Sequence, residues 1–450
     1  MREIVPSETE TIAAKRAARE ELKTAKKRKR ILQRKFWWTK YHAELLIVLV
    51  LQTITLFVVH PVWNTNAPDI PYSGPIVPLL ARGISALGVE LSHAYQVVHI
   101  GAFLLFPLSM YAFIRIVTER KLVGFFAVII ASFPFYPFAQ VRAHAAFFGG
   151  DGPHIVSLTF IPLALGMLLR FIQKGKITYF FYSSILFALV LLISAFGYMN
   201  LLLFAGLICF SEMLLGNGRL KVSRLLVVVV ASYALTAFWY NPGLLYWMIA
   251  SPFGDDVRYM IQRLIPISMF SVPVLAVFGY LLFDRKPDLQ PVFLASFFSI
   301  CFAIIALSGG GVFPGSPSRY VAEFGLSLAF LASIVIVKLA DYAKFLDNPR
   351  LRIGNKHIRL FIKPQFINGI LVLLFGASLW GIIIGRGNIS TNQEKVLGIW
   401  TGVERSEVWA KRETFGFASS AVGYAITGVS VAGYGFLGLK IKDNDKEEKK

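Results

Sequence analysis

Apolar runs of roughly twenty residues recur along nearly the whole chain, separated by short polar links. A run of about 20 apolar residues crosses a hydrocarbon core of ~30 Å as a helix. In lipid, every backbone N–H and C=O must be paired within the segment, so such runs must be helical. This pattern predicts about twelve spans, near 43–60, 95–118, 122–139, 155–173, 177–194, 198–215, 222–240, 266–283, 290–307, 320–340, 367–385 and 416–437. The expected fold is therefore all-α, a polytopic integral membrane bundle over 43–437. It is preceded by a charged segment, 1–42, and followed by a charged tail, 438–450. The links on one side are the loops 61–94, 140–154, 241–265, 308–319 and 386–415.

Composition agrees: mean hydropathy is +0.60, and 56% of residues are hydrophobic against 16% charged. Charge then orients the bundle. With the spans drawn as above, 36 of the 46 Lys and Arg fall on the side of the N-terminus. Cationic links are retained in the cytoplasm, which places both termini there and turns the five loops outward. The net charge of +20 thus reads as topology, and nucleic acid is not an expected partner. The block Lys26 to Arg30, followed by Phe36, Trp37 and Trp38, suits anionic headgroups with aromatics at the interface. A protein partner for the same basic segment is the alternative. The first span follows about forty polar residues, so it reads as an uncleaved anchor rather than a signal peptide. Cys209 and Cys301 both fall inside spans and read as small buried hydrophobes.

Ionisable groups are scarce in the middle of the spans, which argues against an ion or proton pathway across the bilayer. Polar capacity gathers in the outer loops. Asp69 lies between Pro68 and Pro71 in a restrained backbone, as a general base toward a hydroxyl or as an ordinary turn residue. Ile76 to Leu91, which includes Arg82, mixes apolar and charged positions like a helix lying in the interface. Gly149-Gly-Asp-Gly-Pro-His154 leads directly into a span, with Arg142 and His144 just before it. Its glycines permit close backbone approach, and the helix start offers N–H groups to an anion. Asp151 and His154 suit a divalent cation such as Mg or Mn, although one loop supplies few ligands; a helix-capping turn is the alternative. Arg319 stands four residues before Glu323, free for a phosphate or spent on that acid. Arg258, beside Asp255 and Asp256, poses the same choice.

Four stretches carry a resemblance: Phe148 to Leu158 (FGGDGPHIVSL), Phe160 to Leu165 (FIPLAL), Ala237 to Gly243 (AFWYNPG) and Ser316 to Tyr320 (SPSRY). Across about 43–340 the chain resembles the GT-C superfamily of polytopic glycosyltransferases, in its branch of 6-pyruvoyl-tetrahydropterin-synthase-related membrane proteins. The resemblance implies transfer of a sugar from a polyprenyl-phosphate donor at the outer face of a prokaryotic plasma membrane. It implies Asp69 and Asp151 as the acids and Arg142 or Arg319 as holders of the lipid phosphate. His144, His154, Arg82 and Arg258 are the further candidates for substrate contact. A non-catalytic subunit of a membrane complex is the first alternative, and a lipid or solute transporter the second.

Overall fold

The computed structural model describes residues 50, 53, 74–133, 136–148, 151–250, 289–307, 317–346, 351–353, 356–358 and 417–447. The chain divides into two compact units, Met1–Thr53 and Ile54–Lys450. In the first, the described residues Val50 and Thr53 are helical.

The described residues of the second unit are helical apart from one small hairpin and the links between helices. Its helices are α1 (Ile76–Ser85), α2 (Leu91–Thr118), α3 (Lys121–Ala131), α4 (Ala139–Ala143), α5 (Gly152–Lys174), α6 (Ile177–Ile193) and α7 (Ala195–Met213). They continue with α8 (Gly218–Thr236), α9 (Pro242–Ala250), α10 (Gln290–Leu307), α11 (Val321–Leu346) and α12 (Phe417–Glu447). The hairpin pairs β1 (Leu351–Ile353) with β2 (Lys356–Ile358) antiparallel, Leu351 opposite Ile358. Among the described residues, four helices are long and apolar enough to cross a membrane: α2, α5, α7 and α11 as far as Asp341. The expected spans 43–60, 266–283 and 367–385 lie outside the described residues.

The centre of the bundle is α5, which packs against α2, α6 and α7, while α11 packs against α10 and α3. In α5, 78% of the most apolar stretch is enclosed by protein, against 50% in α2 and α7. Side chains on α5 therefore see mainly other helices. Its ends are set locally: Pro153 sits in the first turn, where a missing N–H costs nothing. Gly175 closes the helix in a left-handed conformation (φ 65°), its N–H bonded to the Phe171 carbonyl at 2.8 Å. Arg224 of α8 adds a donor to the Ile172 carbonyl at 2.6 Å. Where α7 begins, Ser194 accepts from the Gly197 N–H at 3.2 Å. A Cβ on Gly197 would stand 1.9 Å from Ser157 Oγ, so the glycine allows α7 to approach α5.

The structure differs from the expected pattern at 122–139 and at the loop 140–154. Helix α3 stops at Ala131, only eleven residues long. Phe133 precedes Pro134, which disfavours helical geometry, and prolines at 134 and 137 cannot continue the hydrogen-bond ladder. The chain then resumes as α4 and a π-helical turn over His144–Phe148. Ala139, Ala143, Ala145 and Ala146 are buried, so this segment is part of the packed interior and not an exposed loop. Its alternating small residues hid it from a reading based on long apolar runs. The stretch Ala237 to Gly243 is a helix-to-helix corner. Asn241 Oδ1 accepts from the Leu244 N–H (2.8 Å) and from Ser419 Oγ of α12 (2.9 Å). Helix α12 docks there closely, since a Cβ on Gly423 would lie 2.3 Å from the Ala237 carbonyl.

Candidate functional site

Three of the long apolar helices begin at one place. Asp151 and His154 open α5, Phe196 and Asn200 lie in the first turns of α7, and Arg319 and Glu323 bracket the start of α11. Arg319 grips Asp151 with two parallel bonds, Nε to Oδ2 at 3.1 Å and Nη2 to Oδ1 at 3.0 Å. This fork is the strong form of a charge-assisted pair. His154 stands between two carboxylates, Nδ1 at 3.1 Å from Asp151 Oδ2 and Nε2 at 2.6 Å from Glu323 Oε1. Asn200 Nδ2 donates to the same Glu323 oxygen at 2.7 Å. An imidazolium donates to both acids, and two carboxylates, one imidazolium and one guanidinium sum to zero charge.

The cluster is enclosed: the side chains of His154 and Glu323 are 0% exposed, Asp151 1% and Arg319 14%. Phe196 forms its apolar wall. The Arg319 guanidinium lies 3.9 Å from the Phe196 ring centroid, and the ring meets His154 and Tyr320 edge-on. Gly152 makes room for His99 of α2, whose ring would lie 2.2 Å from a Cβ at that position.

The sequence candidates divide accordingly. Asp151, His154 and Arg319 come together. Asp151 makes no side-chain capping bond to α5, so the helix-cap alternative does not describe it. Its oxygens instead hold Arg319 and His154. Glu323, expected as the neighbour of Arg319, pairs with His154 instead. The Pro317–Tyr320 turn is a 3-10 helix and α11 starts only at Val321, which breaks the i, i+4 facing of a continuous α-helix. Asn200 and Phe196 were not singled out in the sequence. Only their places in the first turns of an apolar helix could have marked them.

As a divalent-cation site, Asp151 and His154 do not fit. Both ring nitrogens of His154 face carboxylates. Among the described residues, no group of three His, Cys, Asp or Glu is placed to hold a metal ion.

Arg142 lies apart from this cluster, in α4. It is buried, with its guanidinium 3.9 Å from the Phe106 ring centroid and 5.1 Å from that of Phe103. Nη2 donates to the Ala131 carbonyl at the end of α3 (2.6 Å), while Nη1 is buried without a hydrogen-bond partner. No carboxylate among the described residues pairs with it. Burial pushes its pKa down to about 9, so the group is still cationic at neutral pH. His144 follows in the π-helical turn, buried, its pKa lowered by desolvation. Arg82 is exposed on α1, whose Val77 and Ala81 face inward. Asp69 and Arg258 lie outside the described residues.

A second polar layer occupies the other end of α5. Glu212 of α7 accepts from Gln173 (2.9 Å) and Gln290 (2.6 Å), and Lys221 binds it at 3.3 Å. Asp151 and Gln173 are 22 residues apart on one helix, about 33 Å at 1.5 Å per residue.

Among the described residues, fold and cluster define a helical protein with four helices able to cross a membrane and a buried charged cluster where three of them start. No family model, curated protein or solved structure matches the chain.

Proposed function

We propose that the protein moves a sugar from a polyprenyl-phosphate-linked donor to an acceptor at the extracytoplasmic face of a prokaryotic plasma membrane. In this reading it is a GT-C-like bundle of about twelve spans with both termini in the cytoplasm, and the Asp151 end of α5 faces outward. The observation that carries the reading is Arg142, a buried cation with an unused N–H edge and, among the described residues, no carboxylate beside it. An uncompensated buried charge is costly, and an anion at Nη1 would relieve that cost. A phosphate is the anion whose geometry a guanidinium matches. Of the two arginines considered for that task, Arg319 is already committed to Asp151, which leaves Arg142. Asp151 is then a positioning residue that fixes Arg319, and the general base falls to Asp69.

The test is transfer of labelled sugar from a panel of polyprenyl-phosphate donors in proteoliposomes. Arg142→Met and Asp69→Asn are each expected to lower turnover by two orders of magnitude or more, roughly the worth of one charge-stabilising or proton-accepting group. Wild-type turnover in Arg142→Met would remove the phosphate role.

A second reading, a non-catalytic subunit, is favoured by a specific observation. The charges of Asp151, His154, Glu323 and Arg319 satisfy one another, as in a structural clamp. It predicts no turnover with any donor, together with a stable complex that is lost when residues 1–42 are deleted.

A further inference from the structure

The hydrogen bonds of the Asp151 cluster leave a remainder. Glu323 Oε1 receives two donors, yet Oε2, equally buried, receives none. Asn200 gives Nδ2 to that carboxylate, yet its Oδ1 is buried and also unpartnered. Both side chains belong to residues that are 0% exposed. Each orphan oxygen is the sister atom of one end of the 2.7 Å Asn200–Glu323 bond. It lies about 2.2 Å from that end across its planar group, which puts the two oxygens within about 7 Å of each other.

Both orphans are acceptors, so what the site lacks is a donor. A metal cation or an ammonium group is disfavoured by its surroundings. Three helix N-termini converge here, each carrying partial positive charge, and Arg319 and His154 already balance the two carboxylates. Two neutral O–H donors, from one water or from adjacent hydroxyls, meet the need without adding charge. Buried polar atoms in native proteins are rarely left unpaired, and small hydroxyl donors are their usual partners when side chains do not reach. We propose that Glu323 Oε2 and Asn200 Oδ1 form a seat for neutral O–H donors, supplied by an ordered water that gives one hydrogen to each oxygen or by adjacent hydroxyls of a sugar-type alcohol that give one each. This seat does not depend on the transferase reading; it follows from the donor count alone.

The experiment is structure determination of the full wild-type chain in lipid nanodiscs, at a resolution that shows waters, with and without saturating methyl α-glucoside. A compact density touching both oxygens in the two samples supports the seat and identifies water as its source. Density that extends from the same point only with the glycoside supports it and identifies a sugar hydroxyl. Oxygens found paired to protein N–H groups, or facing no density, overturn it. The companion measurement is the thermal midpoint in sodium, potassium and choline chloride. An equal midpoint in all three is expected, and a rise specific to one metal cation would overturn the neutral-donor assignment in favour of an ion site.

Discussion

Arg319 and Asp151 make the most exacting pair among the described residues, because a fork of two bonds tolerates neither a shorter cation nor a missing partner. Arg319→Met takes the guanidinium away from a 1% exposed carboxylate that still meets His154, and is expected to cost about 3 kcal/mol of stability. The double variant Arg319→Met/Asp151→Leu should cost less than the two single changes summed, as a thermal or denaturant double-mutant cycle would show. Arg319→Lys keeps the charge and loses the fork, and should fall between wild type and Arg319→Met. Arg142 gives a pH signature. Burial lowers its pKa, so in the folded chain its proton is lost as pH rises through about 9, while an unfolded guanidinium stays charged. Binding of an anion at Nη1, full at neutral pH, should decline across that window. The unfolded chain holds the extra proton there, so this group's contribution to stability moves the opposite way and rises with pH. Phosphate-donor binding that is level from pH 7 to 10 would count against Arg142. At this scale the sequence revealed which side chains matter but not whom they meet. Asp151, His154, Arg142 and Arg319 all stood out by position, whereas His154 and Glu323, separated by 169 positions, carry no sign of their contact in the sequence.

Among elements, the approach of α7 to α5 depends on Gly197, and that of α5 to α2 on Gly152. Gly197→Ala would force its Cβ against Ser157 Oγ and should destabilise by about 1–3 kcal/mol. Adding Ser157→Ala removes the nearest atom and should restore part of the loss, a result readable in the melting temperature. Gly152→Ala drives the same kind of clash into His99, a bulkier ring, and should be the harsher change. Long helices were legible because their apolar runs exceed any soluble alternative: 95–118 is found as Leu91–Thr118 and 155–173 as Gly152–Lys174. The break after Ala131 was not, although Pro134 and Pro137 stood in plain view. Apolar side chains continue past the prolines, and hydropathy alone registers only their continuity. Likewise the Ala-rich segment 139–148 reads as a loop by its polar members Gln140, Arg142 and His144, two of which are buried in the packed structure.

For the whole molecule, the charge imbalance makes a topological claim that two exposed positions can check. Arg82 lies before α2 and Lys176 follows α5. In a background with Cys209 and Cys301 replaced, Arg82→Cys should react with an impermeant maleimide from outside intact cells and Lys176→Cys only after permeabilisation. Reaction of both from one side would overturn the orientation. The same architecture has an electrical consequence. The Asp151 cluster and the Glu212 cluster cap the two ends of α5, and the stretch between them is mainly apolar, with 78% of its most apolar part enclosed by protein. In a membrane, nearly all of a transmembrane voltage would fall across that dry interval, where a displaced elementary charge is worth ~2.3 kcal/mol per 100 mV. Charge that shifts only within the Asp151 cluster, or at Arg142 beside the end of α3, crosses little of it. Chemistry at that end should therefore run at the same rate in polarised and depolarised vesicles, insulated from the energetic state of the membrane that houses it.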